Sequence, residues 1–215
     1  MFTDKIIPVY KALVNLYGAI LADDAYKILK NYFPELKLED LFEDLEERKK
    51  YYTRGYLIRG VDKTDKTNYL LQLTEIKDDN YIATILSRKH HIDYFVYKDF
   101  NDFIKYKDSS YVEPTKEFVE FYKSLLIYCN RDTKIAGNQF KKILQSIRTG
   151  KRELKVVITD YEEFSKDKEE KVQKSFVDFV NSLRKPYYLG HTEKEYNAII
   201  KEKEENKYKN IPLFI

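Results

Sequence analysis

Residues 48–60 read RKKYYTRGYLIRG, with five basic residues and three tyrosines around an Arg54-Gly55 pair. Glycine supplies the positive φ that a two-residue hairpin turn demands, and the β-prone runs "YYT" and "YLI" flank the pair. The stretch predicts a β-ribbon turning at Arg54-Gly55. What stands before it decides which fold the ribbon belongs to.

Three amphipathic helices stand before it. In "DKIIPVYKALVNLYGAI", Ile6, Tyr10, Leu13 and Tyr17 recur at helical spacing, with Val9 and Leu16 beside them. Pro8 suits the first turn, where its missing N–H leaves no bond unmade, and Gly18 suits the stop. A second helix runs through "DDAYKILKNYF", capped by Asp23 or Asp24, with Ala25, Ile28, Leu29 and Tyr32 as its apolar stripe. A third, "KLEDLFEDLEERKK", sets Leu38, Leu41, Phe42 and Leu45 on one face and acids on the other. Its acids come early and Arg48, Lys49 and Lys50 late, as the helix dipole favours. Three short helices and then a ribbon give the order of a winged helix over residues 1–65. The expected fold class is mainly α with a small β component: this winged-helix-like domain, then a mostly helical domain over 66–215.

That second part is read more coarsely. "VDKTDKTNYLLQLTEIKDDN" is a polar turn followed by a strand or a short helix, and periodicity does not choose between them. "NYIATILSRKHH" suits a helix with Ile82, Ile85 and Leu86 inward. "DYFVY" is aromatic and extended. Asp99 caps a helix that buries Phe100, Phe103 and Ile104; Thr115 caps another carrying Phe118, Phe121, Tyr122, Leu125 and Leu126. "NQFKKILQSI" and a run from Lys168 through Leu183 are helical, while "LKVVIT" fits a strand or a helix running into "DYEEF". Thr192 and Glu195 form a capping box for the last helix, which fades into a charged tail. Residues 61–70 and 106–114 are the candidate boundaries.

The totals narrow the function classes. In 215 residues, 43% are hydrophobic, enough for a substantial core, and 39 Lys+Arg nearly cancel 36 Asp+Glu. A net charge of +3 gives no global attraction for nucleic acid, so any basic footprint is local. Tyrosine is abundant, at 20 residues, and is read either as a recognition surface or as a half-buried core rim with wet hydroxyls. The single cysteine, Cys129, excludes an internal disulfide and a thiolate metal cluster, and lies in a helical apolar run. No apolar segment approaches the roughly 18 residues of a membrane span, and Asp4 and Pro8 do not suit a secretory signal. The expected localisation is cytoplasmic.

The chain resembles an uncharacterised group of Firmicutes proteins that open with a winged-helix-like region. The resemblance rests on "ALVNLYGAI", "YYTRGYLI" and "YFVYKDFNDFIKYKDSSYVEPTKEF". It continues through "DFVNSLRKPYYLGHTEKEY", where Asn181, Arg184, Gly190, His191, Thr192 and Glu195 match the group's pattern. Relatives often carry a cysteine-rich, zinc-binding tail, which this chain lacks, and "PYYL" stands where they have a tryptophan-asparagine stretch. The resemblance implies architecture and carries no activity with it.

Motifs for chemistry are scarce. No GxGxxG or P-loop spacing occurs, and "IRTGKRE" lacks the upstream glycine and the Ser/Thr of a magnesium-holding loop. His90 and His91 point about 100° apart on a helix and to opposite faces of a strand, so with Asp93 they make a poor metal site. His191 suits the turn before the last helix, donating to backbone oxygens. Neither a metal, a cofactor nor a catalytic set is expected, and the chain is not expected to be an enzyme. The leading expectation is a regulator that binds duplex DNA through Lys49, Lys50, Tyr52, Arg54, Tyr56 and Arg59, bases neutralising phosphates and tyrosines stacking. The alternative is a protein-interaction module, an inhibitor or adaptor, that uses the acidic face of the third helix.

Overall fold

The structure, a computed structural model, describes residues 3–50, 55–63, 66–150 and 166–209. Helix α1 (Thr3–Tyr17) is the axis of a first core. Its second half is buried on every side, with Tyr10, Leu13, Leu16 and Tyr17 sealed from solvent, because elements pack around it rather than against one stripe. Gly18 ends it at a φ of +71°, and a Cβ there would meet Pro186 at 2.7 Å. Pro8 falls in the second turn rather than the first, because the helix already runs from Thr3.

Strand β1 (Ala19–Leu21) follows at once, then α2 (Ala22–Lys30), α3 (Leu38–Arg48), β2 (Tyr56–Lys63) and β3 (Lys66–Leu73). The three strands form an antiparallel sheet in the order β1-β3-β2. The ribbon exists, but it does not turn at Arg54-Gly55. Its register pairs Tyr56 with Leu73 and Lys63 with Lys66, so the two strands are joined between Lys63 and Lys66; residues 64–65 lie outside the described residues. The run from 56 to 63 finds an equal-length partner only in 66–73; "YYT" is too short to supply one. Strand β3 sits at the centre of the sheet, so a boundary at residue 65 divides a hairpin. The three-residue β1 was not expected, since "AIL" between two helices carries no alternation to read. Nor do Asp23 and Asp24 cap α2, whose N-cap is Leu21. Asp23 accepts instead from Asn68 on β3 at 2.8 Å, and Asp24 from Lys27 and Lys89.

The remaining helices follow the sequence closely. Helix α4 (Asp79–Ser87) is capped by Asp78, α5 (Phe100–Phe103) by Asp99, α6 (Lys116–Tyr128) by Thr115 and α7 (Thr133–Arg148) by Asp132. Two long helices, α8 (Lys166–Ser182) and α9 (Glu193–Lys209), complete the chain. "LKVVIT" and "DYEEF" lie outside the described residues. A second core gathers α6, α7 and α8 around Phe121, Leu125, Phe140, Leu144 and Phe179. Phe121 and Phe179 stack at 4.9 Å, and each phenylalanine removed from water there contributes roughly 1.5–3 kcal/mol. Cys129 is buried in this core. Among the described residues no helix is long and apolar enough to cross a membrane.

Candidate functional site

Helix α3 packs Leu41 and Leu45 into the first core, with Phe42 and Asp44 beside them, and turns Glu39, Asp40, Glu43 and Glu47 outward. Phe42 meets Tyr69 of β3 edge-on at 5.6 Å, which holds the helix against the sheet. Its eleven residues, LEDLFEDLEER, contain six acids and one arginine. Two of the acids have partners, Asp44 on the packed side and Glu46 at the surface. Asp44 accepts from Tyr10 Oη at 2.7 Å and from Arg48 Nε at 2.8 Å, and Glu46 accepts from Tyr69 Oη and from Lys49 Nζ at 2.9 Å. The bond to Glu46, with burial behind it, pushes the Tyr69 phenol up to about 12; Tyr69 and then Lys49 hold Glu46 below the usual carboxylate range. The other four, Glu39, Asp40, Glu43 and Glu47, are exposed.

Of the six expected nucleic-acid contacts, the four described ones do not assemble into one patch. Lys49 and Lys50 are exposed at the end of α3, Lys49 with its ammonium 5.7 Å over the Tyr69 ring. Tyr56 is 2% exposed, its ring edge-on to Tyr10 at 5.7 Å, so it is a core residue and unable to stack on a base. Alternation along β2 puts Tyr56 and Ile58 on the inner face, opposite Leu73 and Leu71, with Tyr69 beside them. Arg59 therefore points from the other face, where its Nη2 donates to Gln72 and to Asp79 at 2.9 Å. Lys49 and Arg59 thus lie on opposite sides of the ribbon, each beside a carboxylate. Tyr52 and Arg54 lie outside the described residues. The tyrosines largely follow the core-rim reading: Tyr10, Tyr17, Tyr56, Tyr69, Tyr106, Tyr128 and Tyr188 are buried.

A second constellation joins the two cores. Arg184, just beyond α8, donates Nε to Glu113 at 3.0 Å, and Nη1 and Nη2 to Glu195 at 2.6 and 3.1 Å. Its guanidinium lies 3.5 Å over the Phe95 ring. Burial works to lower the Arg184 pKa, but the bonds it donates to Glu195 and the charge of Glu113 outweigh it, so the guanidinium stays charged. Glu195 also accepts from the Thr192 amide at 2.9 Å while its own amide donates to Thr192 Oγ1, which is the capping box in place. His191 Nε2 donates to the Asp93 carbonyl at 3.0 Å, as its turn position predicts. Tyr97 hydroxyl donates to Glu113, and Tyr17 to the Phe95 carbonyl at 2.7 Å.

Five of the six pattern residues meet here; Asn181 faces a separate cavity of about 450 Å³ beside Tyr81 and Lys185. Glu113, Tyr97 and Tyr17 join them from distant segments; they lie in stretches that carry the resemblance, but no local pattern singles them out. Compared with family models, curated proteins and solved structures, the chain matches none.

Proposed function

We propose that this chain is a non-catalytic, cytoplasmic protein-interaction module on a winged-helix frame, which presents α3 to a basic surface of another protein. The frame is supported by the element order α1-β1-α2-α3-β2-β3 and by the sheet order β1-β3-β2. In a winged helix, α3 stands where a recognition helix enters the major groove. The observation that carries the reading is the character of that helix here: Glu39, Asp40, Glu43 and Glu47 face solvent. A phosphate backbone repels such a face, whereas a lysine- or arginine-rich protein surface is steered toward it. Duplex binding through the ribbon is the second reading, which the frame and the exposed Lys50 favour.

Fluorescence anisotropy with random duplex, at about 50 and 200 mM salt, separates the two, because phosphate contacts make binding fall steeply with salt. We expect no saturable duplex binding at the lower salt. Protein partners recovered with the immobilised chain should be lost with Glu39→Lys, Glu43→Lys and Glu47→Lys combined and kept with Lys50→Glu. Salt-sensitive duplex binding abolished by Lys50→Glu overturns the proposal in favour of DNA. The triple change is on the surface, so its effect on stability should stay within about 0.5 kcal/mol per site.

A further inference from the structure

A cleft of about 230 Å³ opens where the two cores meet, between the end of α1, the end of β3, the 108–110 turn and α7. Asn15, Leu73 and Arg148 form its floor; Asn15 and Arg148 are only 5% and 4% exposed. Lys141, Gln145 and Arg148 recur on one face of α7, and Glu75 and Asp108 complete an exposed rim.

Of the two polar floor groups, Asn15 has an acceptor without a partner and Arg148 is bonded to neutral carbonyls. Asn15 Nδ2 donates to the Tyr106 carbonyl at 2.8 Å, which sets the orientation of the amide. Its Oδ1 is buried and accepts from no group among the described residues. Arg148 donates through Nη1 to the Ser109 carbonyl and through Nη2 to the Tyr111 carbonyl at 3.0 Å, two of the five N–H groups a guanidinium carries. Among the described residues no carboxylate comes within ion-pairing distance of it. Burial pushes its pKa down to about 10, opposed by Tyr106, Asp108 and Glu75. A buried cation held by neutral carbonyls is unfavourable until an anion completes it.

The signs around the cleft decide what fits. Two cations, Arg148 and Lys141, face two carboxylates, Glu75 and Asp108. A simple anion meets repulsion from the carboxylates, and a simple amine meets repulsion from Arg148. We propose that the cleft binds a small amino-carboxylate of the size of a free amino acid, its carboxylate on Arg148 and Lys141 and its ammonium toward Glu75 and Asp108. Such a ligand contacts α1 and β3 of the first core and α7 of the second, so its binding stabilises their junction.

Thermal unfolding and calorimetric titration of the full chain test this with the free L-amino acids as probes, and with acetate and methylammonium as half-probes. At least one amino acid should bind saturably and raise Tm, while neither half-probe does. Lys141→Glu and Glu75→Lys lie on the exposed rim, where folding is not at risk, and each should weaken binding by about tenfold or more through loss of a charge-assisted contact. Three results overturn the proposal. One is no saturable binding by any amino acid up to about 10 mM, past the range of weak specific binding. The second is equal binding by acetate alone. The third is an affinity unchanged in both rim variants.

Discussion

Two basic clusters end two helices of this protein, and they live in different surroundings. At the end of α3, Arg48 pairs with Asp44 and Lys49 with Glu46, partners four and three residues back on the same helix. Just past α8, Arg184 takes Glu113 from 71 residues away and Glu195 from 11, and neighbouring His191 takes the Asp93 carbonyl from 98. The Lys49 side chain is 37% exposed and that of Arg184 11%. The exposed Lys49, satisfied by its own helix, decorates a surface and remains open to a partner, whereas Arg48, 18% exposed on an Asp44 that also takes the Tyr10 hydroxyl, belongs to the packed side of α3. Charges satisfied from remote segments hold the architecture. The contrast explains why the residue pattern 184–195 reads as a motif without any chemistry attached: its members fasten α9 and the 92–97 segment to the end of α8.

The strongest way to break this contrast is Arg184→Ala. Removing one partner of a buried pair leaves the others desolvated and costs roughly 3–5 kcal/mol, and the partly wet Glu195 argues for the lower end, about 3 kcal/mol. Arg184→Lys keeps the charge but loses the two-pronged bond to Glu195 and the stacking on Phe95, so it should fall between wild type and alanine. Urea unfolding midpoints check both. A loss below about 1 kcal/mol for alanine, the worth of a surface pair, would remove the distinction between the clusters.

A pH profile sharpens the contrast from the other direction. Burial lowers the His191 pKa, with the Asp93 carbonyl and Glu195 opposing and Arg184 assisting. For Glu195, burial raises the pKa, but the bonds from Arg184 and the Thr192 amide outweigh it and the net shift is downward. Both groups hold fewer protons folded than unfolded, so their stabilisation is present above the unfolded pKa and lost as pH falls. The histidine part fades below about pH 6.5 and the carboxylate part below about 4.3. His191→Gln keeps a donor for Asp93 without a titrating ring. Its stability should be flatter than that of wild type just below pH 6.5, the two declining together once carboxylates protonate. Identical profiles throughout would exclude the histidine contribution.

Legibility in the sequence followed the range of the interaction. Helices whose apolar spacing and caps are local were readable: Asp99, Thr115 and the Thr192–Glu195 box sit where their residue types place them. The hairpin was readable as a ribbon but not in register, because pairing depends on a second strand of equal length and not on the glycine at 55. Tyr56 and Arg59 look alike as ribbon side chains beside a basic run. Only the strand's alternation against β3 sends one into the core and the other toward Asp79. The floor of the α7 cleft was invisible for the same reason. Arg148 ends an ordinary amphipathic helix, and its neighbours Asn15 and Ser109 come from far along the chain.

The smallest expected effect belongs to Lys49→Ala. Its ion pair with Glu46 is exposed on both sides, 37% and 45%, and spans one helical turn. Such pairs are worth about 0.2–0.5 kcal/mol, further reduced by salt. Glu46 keeps its bond from Tyr69 when the lysine is gone, so no buried group is stranded. The midpoint of urea unfolding should move by no more than a few tenths of a kcal/mol, and less at about 0.5 M salt than at low salt. A loss comparable with that of Arg184→Ala would mean that the end of α3 is held as the junction is, by lysine packing over the Tyr69 ring. Lys49 would then be unavailable to a partner, and the surface assigned to α3, its four outward acids, would stand without that cation beside it.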